Sequence, residues 1–252
     1  ISAVFEQYRR HGVEYGFRDA GRFGESMGIC AGDVAVLLAL RAVAAIDAPD
    51  AVRLRLISML SDEIAKVGVA QMADVANGHS PSAATEEEIL SVYRYKTGRY
   101  TFSLPLMLGA VLAKADEPVV DALSRWGELQ GMIFQIRDDH LGIMGDTADI
   151  GKPSGSDISS NKQTLHRLYL MERIARTEWA DVASYFGHSH LTESQIARVR
   201  EALEGTGTLA TLDERIGDLR EEARRTLEDV AIPGTGRGMF ARIDDYNAGR
   251  TT

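Results

Sequence analysis

Apolar positions recur along most of the chain at the three- and four-residue spacing of helices, and few runs alternate with the two-residue period of strands. From Phe23 to Ile46 apolar residues such as Met27, Ile29, Val34, Leu37 and Leu38 stand nearly all round. That pattern predicts a buried helix, with Asp33 as a structural residue in it. Pro49 to Asn77 reads as a long amphipathic helix closed near Gly78. Thr85 followed by Glu88 predicts a capping box at the start of the next helix. That helix is expected to reach Lys96-Thr97 and break at Gly98, before an apolar helix containing Pro105. Pro118 to Met144 predicts a further helix, whose apolar stretch Trp126 to Ile136 leads straight into Asp138-Asp139. Helical stretches at Leu165 to Phe186, Leu191 to Leu203 and Leu209 to Val230, with a short one from Met239 to Asn247, complete the series. The prediction is all-α, and one domain over residues 1–252, since no Pro/Ser-rich linker, low-complexity tract or internal repeat divides the chain.

Composition changes that picture little. Hydrophobic residues make up 44% of 252, enough for a sizeable core. The net charge of -9 argues against nucleic acid as a general partner, so an anionic ligand would need local cations. The single cysteine, Cys30, has no internal partner, which fits a reducing cytoplasm. No uninterrupted apolar run reaches the roughly 18 residues that span a bilayer, and no transmembrane segment or signal peptide is expected.

The candidate chemistry sits between Phe134 and Thr164. Asp138 and Asp139 are oxygen ligands of the kind a hard cation such as Mg²⁺ takes, and Gln135 lies one turn earlier on the same side. Gly151-Lys152-Pro153 and Asn161-Lys162-Gln163-Thr164 follow, and lysines in such loops are point charges for phosphate. Carboxylate, metal and lysine together describe a diphosphate site. Asp157 reads as a turn residue, His188 and His190 as a surface turn, and Asp244-Asp245 as solvated.

Phe134-Gln135-Ile136-Arg137-Asp138-Asp139, with Gly151-Lys152-Pro153 and Lys162-Gln163-Thr164, resembles the second aspartate-rich region of the trans-prenyltransferases, the polyprenyl diphosphate synthases. The Lys96-Thr97 block matches as well, in the right order, and Gln71, in Ala70-Gln71-Met72-Ala73-Asp74, stands where the family often has a Gly-Gln pair, with Ala70 in place of the glycine; the likeness runs from about Arg22 to Val230. Arg9-Arg10 does not fit the paired arginines of the first motif and is read as a solvated turn.

The resemblance implies an isoprenoid synthase fold, with helices around a deep central apolar cavity, in a cytoplasmic homodimer. It implies condensation of an allylic diphosphate with isopentenyl diphosphate, giving a longer trans-polyprenyl diphosphate and pyrophosphate, with Mg²⁺ as cofactor. Asp138 would be a metal ligand and Asp139 a ligand or close supporter. Lys96, Lys152 and Lys162 would hold diphosphate, while Thr97, Gln135 and Gln71 would line the site near the developing cation. Ionisation of the carbon–oxygen bond needs charge neutralisation, and the cation needs a dry, apolar surround.

Two departures stand out. The usual Asp-Asp-x-x-Asp ends here in Gly142, with Asp146 a turn further on. The first motif, another Asp-Asp-x-x-Asp, is not found in the 252 residues. Because the chain opens on Ile1 rather than Met, that motif is expected upstream, in a longer protein truncated here at its N-terminus. The other readings are a catalytically silent subunit of a heteromeric synthase, a class I terpene cyclase, and a helical scaffold without ligand.

Overall fold

Helix follows helix, as the periodicity predicts. The computed structural model describes residues 3–80, 82–145, 155–232 and 234–250, and no strand occurs among them. They form two compact units, Ile1–Ser61 and Asp62–Thr252, with the division falling inside helix α3 (Asp50–His79).

In the first unit α1 (Val4–Glu14) packs on the start of α2 (Ala20–Ala44). Gly24 permits the approach, since a Cβ there would lie 2.9 Å from the Arg9 backbone nitrogen. Phe17 and Phe23 meet edge to face at 4.8 Å. Arg9 and Arg10 lie on α1, on the surface, where both pair with Glu6.

The expectation of a buried α2 does not hold. Gly24 is its only buried residue, and Ile29, Val34, Leu37 and Leu38 are each more than half exposed, at 68%, 55%, 66% and 55%. An all-round apolar pattern records how oily a helix is; it does not supply the neighbours that cover it. Asp33 and Cys30 are likewise exposed. By length and composition this helix could cross a bilayer, because its few charges leave a long apolar window.

In the second unit α6 (Glu117–Met144) is the axis, with Leu129, Ile133 and Ile136 fully enclosed. Against it pack a π-helical segment (Tyr93–Ser103), which continues α4 (Glu86–Val92), and α5 (Leu104–Leu112), α7 (Leu165–Ile174), α8 (Glu193–Gly205), α9 (Thr208–Thr226) and α10 (Gly234–Gly249). Each enclosed Leu or Ile contributes about 1.5–3 kcal/mol. The expected capping box at Thr85 forms, and Thr192 makes a second with Gln195.

Three expectations about elements change. No break occurs at Gly98: α4, the π segment and α5 run on without a gap from Glu86 to Leu112. The helix widens instead, because Gly98 lies against the backbone of α6, where a Cβ would sit 2.9 Å from the Glu128 carbonyl oxygen. The helix expected from Leu165 to Phe186 stops at Ile174, and a 3₁₀ turn (Ala180–Tyr185) carries Val182 into the core. Asp244 is not solvated: it accepts from Gln130 Nε2 at 2.7 Å and pairs with Arg220, while Asp245 stays exposed.

A group of ionic side chains fixes the π segment. Arg99 grips Glu63 of α3 through two hydrogen bonds, at 2.6 and 2.7 Å, and also donates to Glu128 of α6. Burial alone would raise the Glu63 carboxyl, but the hydrogen bonds from Arg99 and Lys66 hold it below its ordinary value. Such a largely buried set costs desolvation, and it ties the π segment to α3 and α6.

Candidate functional site

The π segment, α6, the end of α3 and the stretch before α7 converge on one small cleft. Asp74, Tyr93, Lys96, Thr97, Gln135 and Lys162 line it. Sharing Val92 with it is an apolar cavity of about 400 Å³, lined by Ala65, Val69, Ala70 and Tyr95 among others.

Within the cleft Thr97, Gln135, Lys162 and Tyr93 are joined in one hydrogen-bonded chain through Asp139. Thr97 Oγ1 donates to Gln135 Oε1 at 2.7 Å, and Gln135 Nε2 donates to Asp139 Oδ1 at 2.9 Å. The two contacts together fix which way the amide faces. Lys162 Nζ donates to the same Asp139 oxygen at 2.7 Å, and the Tyr93 hydroxyl donates to Oδ2. Asp139 is 0% exposed, so its three donors are what make its burial tolerable. Lys96 Nζ lies 2.6 Å from Asp74 Oδ2, one turn beyond Gln71 on α3.

Asp138 stands in a different setting. Its side chain is 34% exposed, and it lies 3.5 Å from Gln135 Nε2 and 3.7 Å from Arg250. Arg250 itself lies over the Phe134 ring at 4.4 Å. Where the motif reads Gly142, the carboxylate of Asp157 fills the space, 2.5 Å from where a Cβ would stand and 3.6 Å from Lys162 Nζ. A turn residue by sequence thus joins the acidic face.

Of the residues selected from sequence, Lys96, Thr97, Gln135, Asp138, Asp139 and Lys162 come together. Gln71 does not join them: it is exposed on α3, and Asp74 reaches the cleft instead. Lys152 and Asp146 lie outside the described residues. Tyr93 and Asp157 were missed as members of the site. The only sequence signal for Tyr93 was its place one turn before Thr97; Asp157 gave none beyond its two neighbouring lysines.

The donor set fits a magnesium ion shared with a ligand. Among the described residues no three acidic, imidazole or thiol groups stand close enough to hold a metal alone. Mg²⁺ is typically bound by one or two carboxylates with waters and substrate phosphates completing its shell, and Asp138 offers one such carboxylate.

Burial marks another group behind the acidic pair. His166 is wholly enclosed, its ring 5.6 Å from that of His140, and neither of its nitrogens has a partner among the described residues. Burial, then the nearby His140, Arg137 and Lys162, push its pKa from 6.5 down to about 3. Between those values the unfolded chain binds the proton and the folded chain does not, so stability falls as pH falls through that window. The expected slope from this group is about 1.4 kcal/mol per pH unit. Denaturant melts at about pH 7 and about pH 5 check it, with His166→Leu expected to flatten the dependence.

The chain resembles known proteins along most of its length. It is 37% identical over 151 residues to the farnesyl diphosphate synthase of Geobacillus stearothermophilus, covering 58% of this chain and 50% of that one. It is 31% identical over 224 residues to the geranylgeranyl pyrophosphate synthase of Geoglobus acetivorans, covering 89% and 67%. The chain spans about half the length of the first of these curated relatives. In three dimensions it matches the geranylgeranyl pyrophosphate synthase of Corynebacterium glutamicum, solved with isoprenyl diphosphate and magnesium. There the TM-score is 0.88 at 30% identity, over 98% of this chain and 70% of that one. The isoprenoid synthase fold expected from the motifs is therefore the fold observed. The sequence model of polyprenyl synthetase matches residues 10–203, and the chain belongs to that family.

Proposed function

We propose that the cleft is the diphosphate site of a chain-elongating prenyltransferase, which condenses an allylic diphosphate with isopentenyl diphosphate. The observation that carries this reading is the convergence of Lys96, Thr97, Gln135 and Lys162, with the acidic pair, beside an apolar cavity. The magnesium and isoprenyl diphosphate named for the Corynebacterium structure support the same chemistry.

In this reading Asp138 would hold the metal, and Asp139 would support it from within. Bound Mg²⁺ supplies the positive charge that stabilises a leaving pyrophosphate. Lys96, Lys162 and Lys152 neutralise the remaining phosphate oxygens, with Lys96 giving up Asp74 for the ligand. As the allylic carbon–oxygen bond breaks, pyrophosphate leaves with the electron pair. The Gln135 carbonyl and Thr97 hydroxyl dipoles face the carbon left electron-poor. The double bond of isopentenyl diphosphate then forms the new carbon–carbon bond, and the adjacent carbon gives up a proton to the departing pyrophosphate as the new double bond forms. The apolar lining beside the cleft would shield that carbon from water once substrate fills it. A homodimer in the cytoplasm is part of the same proposal.

The test is to incubate the protein with Mg²⁺, isopentenyl diphosphate and geranyl or farnesyl diphosphate, and to identify products by chromatography. A longer prenyl diphosphate, formed in step with pyrophosphate, is expected. A cyclic hydrocarbon, or release of pyrophosphate without elongation, would sink the proposal.

A further inference from the structure

Tyr93 is enclosed, sits at the first position of the π segment, and touches two elements far away in sequence. Its hydroxyl donates to Asp139 Oδ2 and accepts from the Leu165 backbone nitrogen at 3.2 Å. Leu165 opens α7, and its N–H is one of the first-turn donors a helix leaves without a partner of its own. Burial, then the charge of Asp139 and the hydrogen bond to it, raises the phenol well above its ordinary pKa, so it stays a donor. One phenol therefore ties the π segment to the acidic helix and to the end of the stretch that carries Lys162.

We propose that Tyr93 is a positioning residue for diphosphate binding, acting through Asp139 on Lys162. By engaging Oδ2 it leaves Oδ1 turned toward Gln135 Nε2 and Lys162 Nζ, which both donate to that one oxygen. Lys162 is thereby held at the cleft instead of folding back onto a freely rotating carboxylate. Asp139 is committed to its three donors, and Asp138 is left as the outward carboxylate. The inference rests on the diphosphate reading of the cleft.

A double-mutant cycle tests it, with inorganic pyrophosphate titrated calorimetrically at saturating Mg²⁺. Tyr93→Phe removes one oxygen and is expected to weaken pyrophosphate about tenfold. Lys162→Met weakens it by itself, and adding Tyr93→Phe to that variant is expected to cost nothing more, because the residue through which the phenol acts is gone. Thermal stability, by contrast, should fall in both backgrounds, since the Leu165 contact is lost in each. An unchanged affinity in Tyr93→Phe would overturn the proposal. So would an equal loss in both backgrounds, which is what a merely structural role gives. Should Tyr93→Phe not fold, 3-fluorotyrosine at position 93 carries the same cycle: the affinity must shift with donor strength only while Lys162 is present. Failure of the parent protein to bind pyrophosphate would instead remove the diphosphate reading itself, and this inference with it.

Discussion

Asp138→Ala is expected to fold like the parent and to lose its Mg²⁺-dependent chemistry, with prenyl transfer falling about a thousandfold. The fold should survive because the side chain is one-third exposed and stands 3.5 Å from Gln135 Nε2 and 3.7 Å from Arg250. Exposed substitutions of that kind usually stay within about 0.5 kcal/mol. The chemistry should not survive, because Asp138 is the carboxylate of the pair left available to a metal. Asp139 would be a poorer test. Its removal strands Tyr93, Gln135 and Lys162 together, and a loss of binding there would report a damaged core as readily as a lost ligand. Unchanged melting with abolished turnover is the result that assigns Asp138 its role; unchanged turnover takes the acidic pair out of the reaction.

Gly131→Ala is expected to have the largest effect on the fold. Gly131 on α6 and Gly98 on the π segment meet backbone to backbone, and a Cβ at position 131 would fall inside the Gly98 Cα. Gly127 presses on Ser103 in the same way one turn earlier on α6. The obstacle is main chain on both sides, so no rotamer change relieves it. Separating the two helices would also pull Arg99 from Glu128 and Thr97 from Gln135. A loss of about 3 kcal/mol or more is expected, which corresponds to roughly 6–12 °C in melting temperature for a domain of this size. Calorimetry checks it, and melting within about 2 °C of the parent would show that the helices can part cheaply.

Much of this site was legible along the chain, and what was missed has a common cause. Thr85 with Glu88 announced a helix start because a capping box is local: both partners lie within four residues. Gln135 and the acidic pair were legible together because three- and four-residue spacing sets Gln135 beside both carboxylates, and the Lys96-Thr97 block was legible through its resemblance to the family's motif. The π segment was not. A wider helix and a broken one leave the same mark in the sequence, a glycine among polar residues, and only the approach of Gly131 decides between them. Tyr93 and Asp157 act across the fold, the former on a residue 46 positions away, and no periodicity encodes that. Asp244 was read as solvated for the same reason, since its partners Gln130 and Arg220 lie on other helices. On α2 the pattern was legible and the inference from it was not, because apolar character says nothing about what stands opposite.

Titration of inorganic pyrophosphate into the protein, with Mg²⁺ and then with the metal chelated, tests the diphosphate site most directly. Saturable binding that requires Mg²⁺, and that Asp138→Ala abolishes, is the result expected of a site built from one outward carboxylate and converging lysines. Binding of equal strength without the metal, or no binding in either condition, would contradict it.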